Sequence, residues 1–231
     1  MAFPTTRWTL IRQAVATPSG ESRAALEELC QRYSPPVLAF VRRRADSPEM
    51  AEDMTQEFFA KLLDGNLLQR ADAQLGQFRS FLLNAVRNFL SDARDFAQAK
   101  KRGGDATVIS LSGEMCREPM THLTPDDEFE VLWAKTVLRQ ALDALEAEYL
   151  RSGRQELFQV LQDQLDGDKS VSGRELAAQL GMSEGAVRVA VHRMRQRMGD
   201  LIRAEVSDTV PGSTEVDEEL ARLQKALEKS S

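Results

Sequence analysis

The chain has 231 residues, of which 42% are hydrophobic and only 6% aromatic, and its formal net charge is −6. This length allows one large domain or two small ones, each able to bury a hydrophobic core. The hydrophobic content is too high for a disordered chain, and the shortage of β-branched and aromatic residues disfavours a β-sandwich or barrel. We therefore expect an all-α protein.

Several functional classes are disfavoured because the sequence lacks the motifs that are typical of them. No run approaches ~18 apolar residues, so we expect no membrane span, and the start of the chain does not look like a secretory signal. Cys30, Cys116, His122 and His192 lack the spacing of a zinc site or a disulfide framework. The chain also lacks the glycine patterns of nucleotide-binding loops and a nucleophile elbow. We expect a cytoplasmic, non-catalytic protein without cofactor or metal.

The first hundred residues have apolar positions at helical spacing. The spacing is interrupted at Ser34-Pro35-Pro36, where we predict a break between helices. Ser47-Pro48-Glu49 predicts a helix start with serine as the N-cap, and this helix ends at Asp64-Gly65. A longer helix is predicted from about Gln77 to Arg102, with Phe78 and Phe81 on its apolar stripe in the core rather than stacked on bases.

The second half of the chain begins after a segment without periodicity, residues 103–123, which we interpret as a linker. Thr124-Pro125-Asp126-Asp127 predicts the start of a long helix, and a shorter helix is predicted from Arg154 to Leu165. The acidic tail, residues 207–231, predicts a loop and a short amphipathic helix. This tail helix is either a surface helix or frayed end, which we favour, or a segment that folds back on a basic DNA-binding face.

The window from Gly173 to His192 fits a helix-turn-helix. Ala177 is small where the helices cross, Gly181 allows the positive φ of the turn, Ser183 is placed as an N-cap, and Val187 faces the core. The second helix of this motif enters the major groove with its N-terminal residues nearest the bases. The predicted DNA-contacting residues are Ser183, Glu184, Gly185, Arg188, Val189, His192, Arg193 and Arg195. Arg197 either lies near phosphate or pairs with Asp200 or Glu205.

Charge is patterned along the chain. Residues 87–102 and 184–203 each contain five basic and two acidic residues, whereas residues 114–130 contain six acidic and one basic. The two basic stretches are either two contacts with a polyanion or ordinary solvated helix faces, and charge alone does not decide between them.

Taken together, the two halves resemble a bacterial RNA polymerase sigma factor of the extracytoplasmic-function (ECF) type, in the sigma-70 family. The motifs are MAEDMTQEFFAKLL at 50–63, GQFRSFLLNAVRNFLSDARDFAQAKKRG at 76–103 and LGMSEGAVRVAVHRMRQRM at 180–198. FPTTRWTLI, TQEFF and FRSFLL also resemble a subgroup often encoded near serine/threonine kinases. The resemblance implies a region-2-like domain at 1–102 and a region-4-like domain at 124–206.

The resemblance also implies roles for residues of the first domain. An acidic helix that docks on polymerase would use Glu52, Asp53, Gln56 and Glu57. The helix that binds and melts the −10 element would use Arg79, Asn84, Arg87, Asn88, Asp92, Arg94, Lys100, Lys101 and Arg102. Thr55 lies beside these docking residues on the same helix, and its phosphorylation would add negative charge there.

The implied function is transcription initiation. The partners would be the clamp and flap regions of RNA polymerase core, and promoter DNA in double-stranded and locally melted form. An anti-sigma factor or a serine/threonine kinase are further candidate partners, and no membrane is expected. The alternative is a helix-turn-helix regulator that binds operator DNA as a dimer without polymerase.

Overall fold

The computed structural model describes residues 20–63, 78–102, 123–165, 172–210 and 213–230. These residues contain helices and no strand, so the prediction of an all-α protein is confirmed. A single turn of 3₁₀-helix, Gln162–Gln164, follows the fifth α-helix. The α-helices are α1 (Gly20–Arg42), α2 (Pro48–Leu63), α3 (Phe78–Arg102), α4 (Pro125–Arg151), α5 (Gln155–Leu161), α6 (Gly173–Leu180), α7 (Glu184–Ser207) and α8 (Ser213–Glu228).

The helices pack as two compact units. The first unit comprises residues up to 136 together with residues from 206 onward, and the second comprises residues 137–205. The first half of α4 and the tail helix α8 therefore belong to the first unit. The functional boundaries predicted at 102, 123 and 206 stay a prediction, because packing does not by itself assign function. The predicted linker up to residue 122 and the chain between α2 and α3 lie outside the described residues.

An aromatic cluster forms the centre of the first unit. Trp133 of α4 is fully buried and stacks on Tyr33 of α1, with ring centroids 4.2 Å apart and planes 12° apart. The rings of Phe78 and Phe129 each lie 6.0 Å from that of Trp133. The prediction that Phe78 is a core residue is confirmed by its full burial. Helix α4 is therefore part of the core that holds α1 and α3 together.

The predicted break at Ser34-Pro35-Pro36 is wrong, because α1 continues through both prolines. Tyr33, Val37 and Phe40 follow helical spacing across this site and are all fully buried. Burying such a side chain contributes about 1.5–3 kcal/mol, whereas an interior proline costs roughly 3 kcal/mol. Three such side chains on one continuous stripe contribute about 4.5–9 kcal/mol against roughly 6 kcal/mol for the two prolines, which is enough to offset their local preference.

Both predicted helix starts are confirmed by their capping hydrogen bonds. Ser47 Oγ accepts a hydrogen bond from Met50 N at 3.1 Å, and α2 begins at Pro48. Thr124 Oγ1 accepts from Asp127 N at 3.1 Å and donates to the Asp127 carboxylate at 2.8 Å, and α4 begins at Pro125. Hydrogen bonds from Lys229 and then Thr124 lower the pKa of Asp127.

The core of the second unit is aliphatic, with one buried tyrosine and one buried phenylalanine. Ser172 caps α6 in a reciprocal capping box: its Oγ accepts from Glu175 N at 3.2 Å, and its own N–H donates to the Glu175 carboxylate at 2.9 Å. The buried residues of this core are Leu145, Tyr149, Phe158, Leu161, Leu176, Ala177, Val187 and Met194.

Gly181 ends α6 in the left-handed conformation, with φ 62° and ψ 28°, as predicted. Replacing Gly181 with alanine is expected to lower the free energy of unfolding by about 1–2 kcal/mol, the usual cost of this conformation for a residue with a Cβ. No described atom lies within 4 Å of the added Cβ, so the cost is conformational and not steric.

Gly199 is the matched control, because it lies within helix α7 and its added Cβ also meets no described atom within 4 Å. Gly199→Ala is expected to raise the free energy of unfolding by about 0.5–1 kcal/mol. Urea unfolding followed by circular dichroism measures both. Equal effects of the two substitutions would contradict this account of the turn.

Candidate nucleic-acid interface

The N-terminal part of α7 presents one face to the core and the other to solvent. Ser183 Oγ accepts a hydrogen bond from Ala186 N at 3.2 Å, which confirms Ser183 as the N-cap. Val187 is 2% exposed and lies in the core, as predicted. The exposed positions on this part of α7 are Glu184, Gly185, Arg188, Val189, His192 and Arg193. This face is therefore open to a ligand such as DNA.

Arg195 and Arg197 contact other elements of the second unit. Arg195 donates through Nε to the carbonyl oxygen of Gln164 at 2.9 Å, and through Nη2 to the same oxygen. Arg197 donates to both carboxylate oxygens of Glu148 on α4, at 2.9 and 2.6 Å. Glu148, and not the predicted Asp200 or Glu205, is thus the hydrogen-bonded partner of Arg197, and Asp200 acts on Arg197 through its charge alone.

The Arg197–Glu148 pair has a direct electrostatic signature. The hydrogen bonds from Arg197 lower the pKa of Glu148, and the same bonds raise the pKa of Arg197. Both side chains are well exposed, so the pair contributes at most about 1 kcal/mol to stability. Its main consequence is positional, since it turns the guanidinium of Arg197 toward α4.

The outer face of α3 carries most of the side chains predicted for the −10 element. Asn84 Oδ1 accepts a hydrogen bond from Arg87 Nη1 at 3.2 Å. Lys100, Lys101 and Arg102 lie within α3, but their side chains lie outside the described part of the structure. The exposed predicted residues are Asn84, Arg87, Asn88, Asp92 and Arg94.

Two arginines of α3 are paired with carboxylates from elsewhere in the first unit. Arg79 is only 5% exposed and binds Glu219 of α8, with Nε 2.8 Å from Oε1, while its Nη1 donates to Glu130 of α4. Arg87 Nη2 lies 2.8 Å from an oxygen of Asp126. In this conformation Arg79 does not face solvent, so its predicted role at the −10 element requires both carboxylates to leave.

The predicted docking helix α2 is amphipathic. Glu52 pairs with Arg42 at 3.2 Å, and Glu57 pairs with Lys61 at 2.7 Å on the exposed surface. The opposite face of α2 is buried in the first unit. All four predicted docking residues, Glu52, Asp53, Gln56 and Glu57, lie on the exposed face.

Comparison with known proteins identifies the first unit. Residues 29–99, which run from α1 through α2 and most of α3, match the family model of sigma-70 region 2. Over 198 residues the chain is 25% identical to the ECF RNA polymerase sigma factor SigE of Mycolicibacterium smegmatis. The alignment covers 85% of this chain and 69% of that protein. Residues 29–99 are therefore a sigma-70 region 2, and the chain over most of its length is similar to a sigma factor of the ECF type. No solved structure matches it significantly.

The residues that match region 2 include both the acidic face of α2 and the polar face of α3. The match places the two faces on one family-defined domain. Of the helices that the structure describes, none is long and apolar enough to cross a membrane.

Thr55 of α2 is buried. Its side chain is 4% exposed, and its hydroxyl donates to the carbonyl oxygen of Ala51 at 2.7 Å. A kinase needs an accessible hydroxyl, so phosphorylation of Thr55 would require α2 to open. The structure therefore argues against the hypothesis of a switch at this residue in the folded domain.

Sequence analysis missed three features of this surface. It assigned no role to Glu130 or Glu219, because nothing within one helical turn links either carboxylate to Arg79. It also did not single out Phe96, whose side chain is 72% exposed on α3, two residues after Arg94. Phe96 falls on the apolar side of α3, and only tertiary structure shows that packing does not cover it.

Proposed function

We propose that this sigma factor binds RNA polymerase core and directs it to promoters by reading a −10 and a −35 element. The observation that carries the proposal is the match to sigma-70 region 2 on a helical unit with an exposed acidic face on α2 and an exposed polar face on α3. The protein acts without catalysis or cofactor, in the cytoplasm where polymerase and its template are found.

In this proposal the domains at 1–102 and 124–206 have separate tasks. Helix α2 docks on the polymerase clamp through its exposed acids, which suit a basic partner surface. Helix α3 holds the melted −10 element, where exposed amides and arginine can contact phosphates and unstacked bases. Residues of the second domain contact the polymerase flap and the −35 duplex.

The −35 element is read by the exposed N-terminal face of α7. Arginine can donate two hydrogen bonds to guanine in the major groove, and this is the commonest specific contact. Arg188 lies on this face, and among the described residues none forms a hydrogen bond or ion pair with it, whereas Arg195 and Arg197 are held by Gln164 and Glu148. We therefore assign base reading to Arg188 and phosphate contact to Arg193.

The docking role of α2 is tested with the double variant Glu52→Ala/Asp53→Ala. Removing two exposed charges from an interface is expected to weaken binding to polymerase core about tenfold. Comigration with core on a sizing column, followed by a titration, measures the effect. The fold should be unchanged, because both side chains are exposed.

The matched control is Asp217→Ala/Glu218→Ala, which removes two adjacent exposed acids from α8 instead. It should bind core as the wild type does. Equal binding by all three proteins would contradict the docking role. Failure of the wild type to bind core, with a two-fold-symmetric footprint on DNA, would favour the dimeric regulator over a polymerase subunit.

Regulation by an anti-sigma factor or a serine/threonine kinase remains a prediction from the resemblance. If a kinase acts on this sigma factor, we expect its target to be an exposed hydroxyl and not Thr55.

A further inference from the structure

Three carboxylates from outside α3 cover two of its arginines. We call this group the acidic seam: Asp126 and Glu130 of α4, and Glu219 of α8. Glu130 and Glu219 bind Arg79, and Asp126 binds Arg87. Both arginines belong to the set predicted to contact the −10 element.

The pairing at Arg79 is two-pronged and buried. Its Nε lies 2.8 Å from Glu219 Oε1, and its Nη2 lies 3.3 Å from Glu219 Oε2. Glu219 is fully buried although it belongs to a helix with an exposed face. The contact at Arg87 is an ion pair without hydrogen-bond geometry: the two side chains are 42% and 49% exposed, although the Asp126 oxygen nearest to Arg87 is itself covered.

Helix α8 is held over the start of α3 by further contacts. The carbonyl oxygen of Thr209 accepts a hydrogen bond from Phe78 N at 3.0 Å. Phe78 lies in the first turn of α3, where a backbone N–H has no acceptor within its own helix. Lys229, just after α8, pairs with Asp127 at the start of α4. The apolar face of α8 is buried at Val216, Leu223 and Ala226.

The chemistry of the seam resembles that of a phosphate backbone. A guanidinium binds carboxylate and phosphate in the same two-pronged geometry. Helix α8 has five acidic and two basic residues, so it presents a net negative charge to α3. A buried ion pair adds little net stability, because the loss of hydration offsets the attraction. Because an unpaired buried charge is costly, Glu219 can leave Arg79 only when another anion takes its place.

We propose that the acidic seam is an intramolecular substitute for promoter phosphates, which DNA must displace from Arg79 and Arg87. In the free protein the seam covers these arginines and so reduces binding to DNA of any sequence. On promoter DNA, α8 leaves the start of α3, and the Glu130 carboxylate also releases Arg79, so that the guanidinium can bind phosphate. The inference rests on the proposed function only in naming promoter DNA as the competitor.

The first test compares Glu219→Gln with Glu218→Gln in the full chain. Both remove one negative charge from α8, but Glu218 is exposed and does not contact Arg79. The probe is a short fluorescent single-stranded DNA of mixed sequence, followed by anisotropy. Glu219→Gln is expected to bind about tenfold more tightly than wild type, because one charge-assisted contact with Arg79 is lost.

Salt dependence gives a second readout. Glu219→Gln is expected to gain one phosphate contact through Arg79. Its slope of log affinity against log salt concentration should therefore be steeper than that of the wild type by about 0.7 for single-stranded DNA. Glu218→Gln should match the wild type in slope. Equal affinity and slope for the two variants would overturn the proposal.

Asp126→Asn keeps the proposal testable if Glu219→Gln does not fold, because the Arg87–Asp126 pair is exposed and the variant should fold normally. It is expected to bind the same DNA about threefold more tightly than Glu218→Gln, since an exposed pair is weaker than a buried one. Binding equal to that of Glu218→Gln would overturn the proposal at Arg87.

Hydrogen–deuterium exchange tests displacement directly. Adding the DNA to the wild type should increase exchange in peptides covering α8, while the buried part of α4 stays protected. Unchanged protection of α8 at saturating DNA would overturn the proposal. These measurements contain no polymerase, so failure to bind core would refute the proposed function without deciding the competition between seam and DNA.

Discussion

Replacing Trp133 with alanine is expected to lower the free energy of unfolding of the first unit by about 3–5 kcal/mol, the usual cost of removing a buried large aromatic side chain. Trp133 is fully buried, and its ring is stacked 4.2 Å from that of Tyr33. The rings of Phe78 and Phe129 also lie beside it, so the cavity would open between three helices. Urea unfolding followed by circular dichroism measures the change.

Trp133→Phe is the control for cavity formation. Among the described residues none accepts a hydrogen bond from Trp133 Nε1, so phenylalanine removes no such bond and keeps a ring in the site. We expect a cost below about 1.5 kcal/mol. A loss as large as that of the alanine variant would show that the indole itself is required and not the volume it fills.

The Trp133 result also bears on function. Trp133 lies outside residues 29–99, which match region 2, yet it packs against Tyr33 and Phe78 within that range. A large destabilisation would mean that the residues that match region 2 depend on α4 for their stability. Variants of α4 must therefore be checked for folding before any loss of promoter activity is assigned to DNA contacts.

Replacing Arg188 with alanine is expected to weaken binding to the −35 duplex by about 1–3 kcal/mol and to relax specificity at one base pair. Arg188 is exposed near the start of α7, five residues after the N-cap Ser183. Affinity and specificity fall because the variant loses the hydrogen bonds of Arg188 to a base edge, and water in its place does not distinguish one base pair from another. The probe is a duplex selected by the wild-type protein from a random library.

Arg197→Ala is the control, because it removes the same charge from the same helix. Arg197 is held by Glu148, so its removal should weaken binding slightly and equally for every sequence. A repeat of the selection with each variant distinguishes the two effects. If Arg188→Ala selects the wild-type sequence with unchanged affinity, Arg188 does not read a base.

Much of the local structure follows from the sequence, because it depends on atoms a few residues apart. Ser47, Thr124 and Ser183 each cap a helix through a bond to an N–H three residues away, and such bonds need only the right residue at the right spacing. Gly181 ends α6 because φ of 62° strains other residues. The order of motifs likewise indicates the sigma-70 family, which the comparisons bear out.

Other features depend on which helices meet, and local patterns do not determine that. Helix α1 continues through Pro35 and Pro36 because a buried stripe crosses them, and the hydroxyl of Thr55 turns back to Ala51 because α2 buries that side. From the sequence, Arg79 could be described only as a basic residue on the helix predicted to bind the −10 element. Its carboxylate partner Glu219 lies 140 residues along the chain.

The sequence by itself therefore determined most of the helices and the caps at Ser47, Thr124 and Ser183, and it indicated the sigma-70 family and the exposed faces of α2 and α7. Only the tertiary structure decided which charges on those helices are already neutralised. The physical reason is range: a cap or a turn is satisfied within four residues, whereas an ion pair forms wherever packing brings a guanidinium and a carboxylate together. For this reason the sequence predicted Arg79 as a surface residue that contacts DNA, whereas the structure shows it buried beneath the acidic seam.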